Sequence, residues 1–133
     1  MKLEQSKITE AVARKQSGKY NCAQSVACTY APYAGVSETE MQRMANAFGG
    51  GMGCTLGTCG SIVGAGMVLG CVLDDRAAAM KAMKNIVLKF QQRNGCTICR
   101  QLKGLDTGHV VRQCNDCVAD ASEFLEEELR VIE

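Results

Sequence analysis

Apolar residues recur at three- and four-residue steps along most of the chain, which is the spacing of one face of an α-helix. Between residues 80 and 90 the apolar side chains share a face and the lysines lie off it: Met80, Met83, Ile86, Val87 and Phe90 against Lys81, Lys84 and Lys89. No segment shows the convincing alternation of apolar and polar residues that marks a half-buried strand. The pattern therefore predicts helices and no sheet.

The last segment of the chain has the clearest helical period. Its apolar positions are Val111, Cys114, Val118, Ala121, Leu125 and Ile132. Glu123, Glu126 and Glu127 lie on or near the opposite side, so we expect these acidic residues to form a solvated face. Cys114 and Cys117 lie where both can face the core.

Capping residues mark the beginnings of three helices. Asn21 precedes CAQSVACTYA, Ser37 stands three residues before Glu40, and Thr58 precedes CGSIVGAGMVLG. Side chains of these types accept hydrogen bonds from the first backbone N–H groups of a helix. We predict an all-α fold, a compact bundle of five to seven helices around a glycine-rich central helix, in a single domain spanning residues 1–133.

The uncharged run of residues 56–73 has the length of a membrane span. Its many glycines make it less apolar than a leucine-rich span, so we predict a helix buried by its neighbours and no membrane span. Gly60 and Gly64 are one turn apart, and Gly66 and Gly70 repeat the spacing, which permits close helix packing. Such packing can occur within one chain or between two, which leaves a homo-oligomer open.

Charge and aromatic content argue against a nucleic-acid partner. The formal net charge is +1, and apart from an acidic carboxyl-terminal stretch the charges are spread along the chain, so we expect no basic face. With no tryptophan, three tyrosines and three phenylalanines, the chain offers no platform on which bases stack. We predict that the protein binds no nucleic acid.

Nine cysteines are the chemically distinctive feature of the sequence. The charged amino end, MKLEQSKITE, lacks the apolar core of a signal peptide, so we expect a reducing, cytoplasmic location. Structural disulfides are rare in such a compartment, and an odd number of cysteines argues against a fully paired disulfide framework. The cysteines are therefore predicted to be metal ligands or redox groups.

Several cysteines stand where helices are predicted to begin. Cys22 follows Asn21 and Cys59 follows Thr58, and NGCTICRQLKG places Cys96 and Cys99 at another predicted helix start. The amino end of a helix stabilises a thiolate. The glycine-rich run before Cys59 can also turn its N–H groups toward an anion, or simply permit tight packing. If the chemistry is thiol-based, we expect Cys59 to be the redox nucleophile.

Spacing alone selects a different set of four cysteines. Cys96 and Cys99 form one CxxC pair, and Cys114 and Cys117 form a second. Two such pairs are typical of structural zinc sites. On this alternative the protein is a structural zinc-binding or assembly module with no redox turnover.

Four strings carry a resemblance to a known family: GKYNCAQSV, FGGGMGCTLGTCGSIVGAGMVLG, CRQLKG and CNDCVADA. Together they resemble the redox-active protein family C_GCAxxG_C_C, from about Gly18 to Ala121. The family's name motif corresponds to the stretch from Cys59 to Gly64, with serine where the family usually has alanine.

The resemblance implies four functional cysteines: Cys22, Cys59, Cys99 and Cys114. A related cysteine module in split-Soret cytochromes has been ascribed an iron–sulfur centre. For this chain the resemblance implies a small redox protein whose cysteines bind an iron–sulfur cluster or cycle between thiol and disulfide for electron transfer. The resemblance implies an electron donor or acceptor of unspecified identity, and it implies neither a substrate nor enzymatic turnover.

Overall fold

The computed structural model describes residues 2–133, which form helices joined by turns. The helices are α1 (Ile8–Gln16), α2 (Cys22–Thr29), α3 (Ala31–Ala34), α4 (Glu38–Met44), α5 (Gly60–Val72), α6 (Arg76–Asn94), α7 (Cys99–Lys103) and α8 (Cys114–Ile132). No strand occurs in this range, and an isolated antiparallel bridge joins Thr58 to Ile98. The predicted all-α class is confirmed. The eight helices exceed the predicted five to seven, and two of them, α3 and α7, are single short turns of four and five residues.

Two of the predicted caps are confirmed. Asn21 Oδ1 accepts from the Gln24 N–H at 2.8 Å, and Gln24 Oε1 accepts from the Asn21 N–H at 2.9 Å, which completes a capping box for α2. Ser37 Oγ accepts from the Glu40 N–H at 3.1 Å and so caps α4. At α5 the cap is Cys59 instead of Thr58, because the helix begins one residue later than predicted.

Helix α5 is the centre of the bundle and packs against α2, α3, α6 and α8. A Cβ atom on Gly64 would overlap the carbonyl oxygen of Ala23, and one on Gly60 would lie 2.7 Å from the Phe48 carbonyl oxygen. The first pair of spaced glycines therefore permits the close approach of α2. Gly70 faces open space, so the second pair does not extend this contact. Within residues 2–133, no helix has both the length and the hydropathy that a membrane crossing requires.

The acidic face expected on α8 is partly buried, which corrects the sequence-based expectation. Glu126 is only 1% exposed. Its carboxylate accepts hydrogen bonds from the Tyr30 hydroxyl at 2.5 Å and from the Lys7 N–H at 2.7 Å. Lys7, just before α1, and Tyr30, just after α2, thus cover this side of α8, and the carboxylate is stabilised there because its oxygens are hydrogen-bonded.

A second buried carboxylate holds the irregular segment between α7 and α8. Asp120 accepts from Arg112 Nε and Nη2 at 3.0 and 2.9 Å, and from Arg93 Nη1 at 2.9 Å. Asn94 Nδ2 donates to the same carboxylate at 3.1 Å. Asp120 therefore ties the end of the segment, at Arg112, to both α6 and α8.

We expect Asp120→Asn to lower the free energy of unfolding by about 2 kcal/mol, because the amide supplies one acceptor oxygen where two guanidinium groups now donate. Urea unfolding measures the loss. The matched control is Glu123→Gln, since Glu123 also pairs with Arg93 but is 41% exposed. Its expected cost is below about 1 kcal/mol. Equal losses in the two variants would contradict the assigned role of Asp120.

Candidate functional site

Five of the nine cysteines line one cavity inside the bundle. The lining residues are Cys22, Cys59, Cys99, Cys114 and Cys117 together with Gly50, Gly60, Leu102, Lys103 and Arg112. The cavity has a free volume of about 20 Å³, which is room for one water molecule. The four cysteines implied by the family resemblance all border this cavity. A joint role in binding a cofactor stays a prediction.

Helix beginnings deliver these four cysteines to the cavity. Cys22, Cys99 and Cys114 are the first residues of α2, α7 and α8, and Cys59 is the capping residue of α5. Unpaired backbone N–H groups and the helix dipole make the amino ends of the longer helices α2, α5 and α8 favourable for negative charge. Cys22, Cys59 and Cys99 are buried, whereas Cys114 is half-buried.

The isolated bridge places Cys59 and Cys99 on the same side of two paired backbone segments. The Cys59 N–H donates to the Thr97 carbonyl oxygen at 2.8 Å, and the Cys99 N–H donates to the Gly57 carbonyl oxygen at 3.0 Å. Successive side chains of extended backbone point to opposite sides. Both cysteine side chains therefore lie on the side opposite to the paired residues Thr58 and Ile98, which is the side of the cavity.

The glycine-rich segment before α5 forms a left-handed turn against this pair. Residues 50–53 all have positive φ, between 58° and 78°. A Cβ atom on Gly51 would lie 2.5 Å from the Cβ atom of Cys99. The Thr55 carbonyl oxygen accepts from the Arg100 N–H at 2.8 Å, which fastens the turn to α7. At Gly51 the glycine therefore serves both the left-handed conformation and a close approach to a cavity cysteine.

Cys22 and Cys114 form one hydrogen-bonded pair of thiols. The Cys22 thiol donates to the Cys114 sulfur, and this bond, with Lys103 and Lys15 nearby, lowers the pKa of Cys114 to about 6. The same hydrogen bond and burial raise the pKa of Cys22 far above the usual range of a thiol. The arrangement therefore favours a thiolate on the more exposed Cys114 and a protonated thiol on Cys22.

Cys59 and Cys117 form the second pair. A hydrogen bond from the Cys117 thiol lowers the pKa of Cys59 to about 7, helped by the Ser61 hydroxyl at 2.8 Å and by the N–H groups of Ser61 and Ile62. The hydrogen bond to Cys59 and burial raise the pKa of Cys117 far above its usual range. The resemblance did not select Cys117. The sequence signal for Cys117 is its spacing of three residues from Cys114, because residues three apart on a helix lie on the same face.

The pKa of Cys114 gives a direct test of the first pair. Because only the thiolate reacts, alkylation of Cys114 by iodoacetamide in metal-free protein is expected to fall as the pH drops through about 6. Cys22→Ala removes the hydrogen bond and is expected to move this midpoint upward. Cys71→Ala, at an exposed position of α5, is the matched control and leaves it unchanged. A midpoint that is the same in all three proteins would show that Cys22 does not stabilise the thiolate.

Of the alternative zinc set, Cys99, Cys114 and Cys117 line the cavity and Cys96 does not. The Cys96 Sγ atom donates to the Asn94 carbonyl oxygen at 3.9 Å, away from Cys99, Cys114 and Cys117. In the part of the chain that the structure describes, no three His, Cys, Asp or Glu side chains are spaced to hold a single metal ion. Cys96 lies in the irregular stretch between α6 and α7.

Two basic side chains border the cavity. Lys103 and Arg112 line it, and the Arg112 charge is paired with that of Asp120. Lys103 and the nearby Lys15 form no salt bridge within the described residues. The charges and helix ends together favour thiolates or another negative group in the cavity.

The sequence matches one family model over most of its length. The family model described as "Putative redox-active protein (C_GCAxxG_C_C)" matches residues 20–128. The matched stretch begins two residues before Cys22 and contains all five cavity cysteines. Searches among curated proteins and among solved structures gave no match.

Proposed function

We propose that this chain, which belongs to the C_GCAxxG_C_C family of redox-active proteins, transfers electrons through an iron–sulfur cluster held by Cys22, Cys59, Cys99 and Cys114. The observation that carries the proposal is the delivery of these four thiols, from four helix beginnings, to one cavity. Four cysteine thiolates are the usual ligand set of an iron–sulfur cluster.

The grouping of the thiols favours a two-iron cluster. A structural zinc ion takes four ligands around one point, and no three side chains in residues 2–133 are spaced for that. A two-iron cluster instead takes two cysteines on each iron. Cys22 lies beside Cys114, and the bridge places Cys59 and Cys99 on the same side of the two segments that it joins. The donor set thus fits a two-iron cluster better than a single ion.

The free space of the cavity sets a condition on binding. Its volume of about 20 Å³ is smaller than a cluster. The thiols therefore have to lose the protons that now join them in pairs and turn away from one another. Burial and the neighbouring Cys114 raise the pKa of Cys22, so we expect cluster assembly to be disfavoured at low pH.

The protein's own residues supply the surroundings of the centre. When bound, a cluster supplies a one-electron donor and acceptor. Lys103 offsets part of the negative charge of four thiolates, whereas Arg112 is paired with Asp120. Buried Leu102 excludes water from the cavity. Cys114 is the most exposed of the four ligands, so the side of the cavity at the start of α8 is the expected path for electrons.

Metal and sulfide analysis of protein purified without oxygen tests this proposal. We expect about two irons and two sulfides per chain, with sulfide-to-iron charge-transfer bands in the visible spectrum. Zinc with a featureless spectrum would overturn the proposal. Metal-free protein that fails to take up iron and sulfide on reconstitution would do so as well.

A specific observation favours thiol–disulfide exchange as a second candidate. Cys114 is both half-buried and thiolate-forming near neutral pH, so an external disulfide can reach it. In such a cycle the Cys114 thiolate attacks a partner disulfide and forms a mixed disulfide, which frees one partner thiol. Cys22 then attacks the Cys114 sulfur, a Cys22–Cys114 disulfide forms, and the partner leaves as a dithiol. Cys59, the nucleophile expected from the sequence, is 5% exposed and is open only to a small oxidant.

A further inference from the structure

Cys117 is a fifth cavity cysteine that the four-ligand set does not use. It is 2% exposed and its Sγ atom lies 3.9 Å from the Arg112 carbonyl oxygen. It borders the same small cavity as Cys59, which the proposed function requires as a ligand, and the nearby Cys59 sulfur raises the pKa of the Cys117 thiol. A structural role as a small apolar residue does not require this contact with a second thiol.

We propose that Cys59 and Cys117 close to a disulfide when the cluster is absent, and that this bond blocks reassembly of the cluster until it is reduced. The inference rests on the proposed function, because Cys59 cannot bind iron while it is joined to Cys117. The two residues come from the start of α5 and the first turn of α8. The disulfide would therefore hold these two helices together in the cluster-free protein.

The size of the cavity indicates the class of oxidant. Space for about one water molecule excludes a peptide disulfide, and it leaves small peroxides such as hydrogen peroxide as the oxidants that reach Cys59. Cys28, although also buried, lies elsewhere in the fold, beside the Glu38 carbonyl oxygen. It has no thiol partner among its hydrogen bonds within the described residues.

The reaction takes place in two balanced steps. The Cys59 sulfur attacks one peroxide oxygen, the O–O bond breaks, and a sulfenic acid and one water result. The Cys117 sulfur then attacks the Cys59 sulfur, the S–O bond breaks, and the hydroxide leaves with the Cys117 proton as a second water. Two thiols lose two electrons and two protons, and one peroxide becomes two waters.

Mass spectrometry of reduced, cluster-free protein treated with hydrogen peroxide tests the pairing. After free thiols are blocked and the protein is digested, we expect a cross-linked peptide pair containing Cys59 and Cys117 to dominate the oxidised Cys59 products. Cys96→Ser, outside the cavity, is the matched control and is expected to give the same pair. A disulfide from Cys59 to any other cysteine, or Cys59 sulfinic acid without a disulfide, would overturn the inference.

Reconstitution separates this inference from the proposed function. Oxidised wild-type protein is expected to lose uptake of iron and sulfide and to regain it after dithiothreitol. After the same oxidation, Cys117→Ser is expected to lose uptake of iron and sulfide and not to regain it with dithiothreitol. In this variant Cys59 has no partner thiol and oxidises beyond the sulfenic acid. Undiminished uptake by wild-type protein that carries the disulfide would overturn the block. If even reduced protein takes up no iron, the proposed function fails, and the regulatory block fails with it. The peptide analysis decides separately whether the Cys59–Cys117 disulfide forms.

Discussion

Replacing Cys59 with serine is expected to remove the cluster, with iron content falling at least tenfold while the fold is retained. Cys59 is the one cysteine that both caps the central helix and is fixed by the bridge to the α7 region. Serine keeps the size of the side chain and a hydrogen bond to Ser61, so the helix cap is disturbed little. Iron analysis and circular dichroism of the variant, purified without oxygen, measure the two quantities.

The matched control for this experiment is Cys96→Ser. Cys96 belongs to the CxxC zinc set but not to the cavity lining, so the proposed function predicts unchanged iron content for this variant. The zinc alternative predicts the opposite, because it uses Cys96 and does not use Cys59. Metal loss in the Cys96 variant with retention in the Cys59 variant would therefore reject the four-cysteine set.

Gly64→Ala is expected to destabilise the protein by about 3 kcal/mol, or to lower the Tm by about 10 °C. A Cβ atom there would overlap the Ala23 carbonyl oxygen, which is backbone, so α2 and α5 would have to separate. Because Cys22 begins α2 and Cys59 caps α5, the same shift would disturb the cavity. Thermal unfolding followed by circular dichroism measures the effect.

Gly70→Ala provides the control on the same helix. A Cβ atom on Gly70 meets nothing within 4 Å, so alanine there is expected to stabilise the helix by about 0.5 to 1 kcal/mol. If the two substitutions changed the stability by the same amount and in the same direction, the close packing of α2 on α5 would not be the reason for glycine at position 64.

Local patterns predicted the helical class and two of the caps, because helical periodicity and capping are properties of a few neighbouring residues. They predicted burial less well. Met80 lies on the apolar stripe of α6 and is 66% exposed, whereas Glu126 on the acidic side of α8 is 1% exposed. Which elements cover a helix is decided by the rest of the fold. Here, Lys7, just before α1, and Tyr30, just after α2, donate hydrogen bonds to the Glu126 carboxylate.

In the candidate site, too, local patterns predicted only what neighbouring residues determine. The positions of Cys22 and Cys59 at helix starts could be predicted from the residues beside them. Spacing alone favoured Cys96, which lies in the irregular stretch before α7 and does not line the cavity. The hydrogen bond between Cys59 and Cys117 joins residues 58 positions apart, so it depends on how α8 packs against the start of α5. No local pattern encodes that contact.

X-ray absorption at the iron edge of anaerobically purified protein tests the central claim most directly, because it reports the atoms around each iron. The account predicts about four sulfur neighbours, two from cysteine and two from sulfide, and one neighbouring iron. Iron without an iron neighbour, or with nitrogen and oxygen in place of sulfur, would contradict it. The same spectrum from Cys117→Ser is expected to be unchanged, since Cys117 is assigned to the cluster-free state alone.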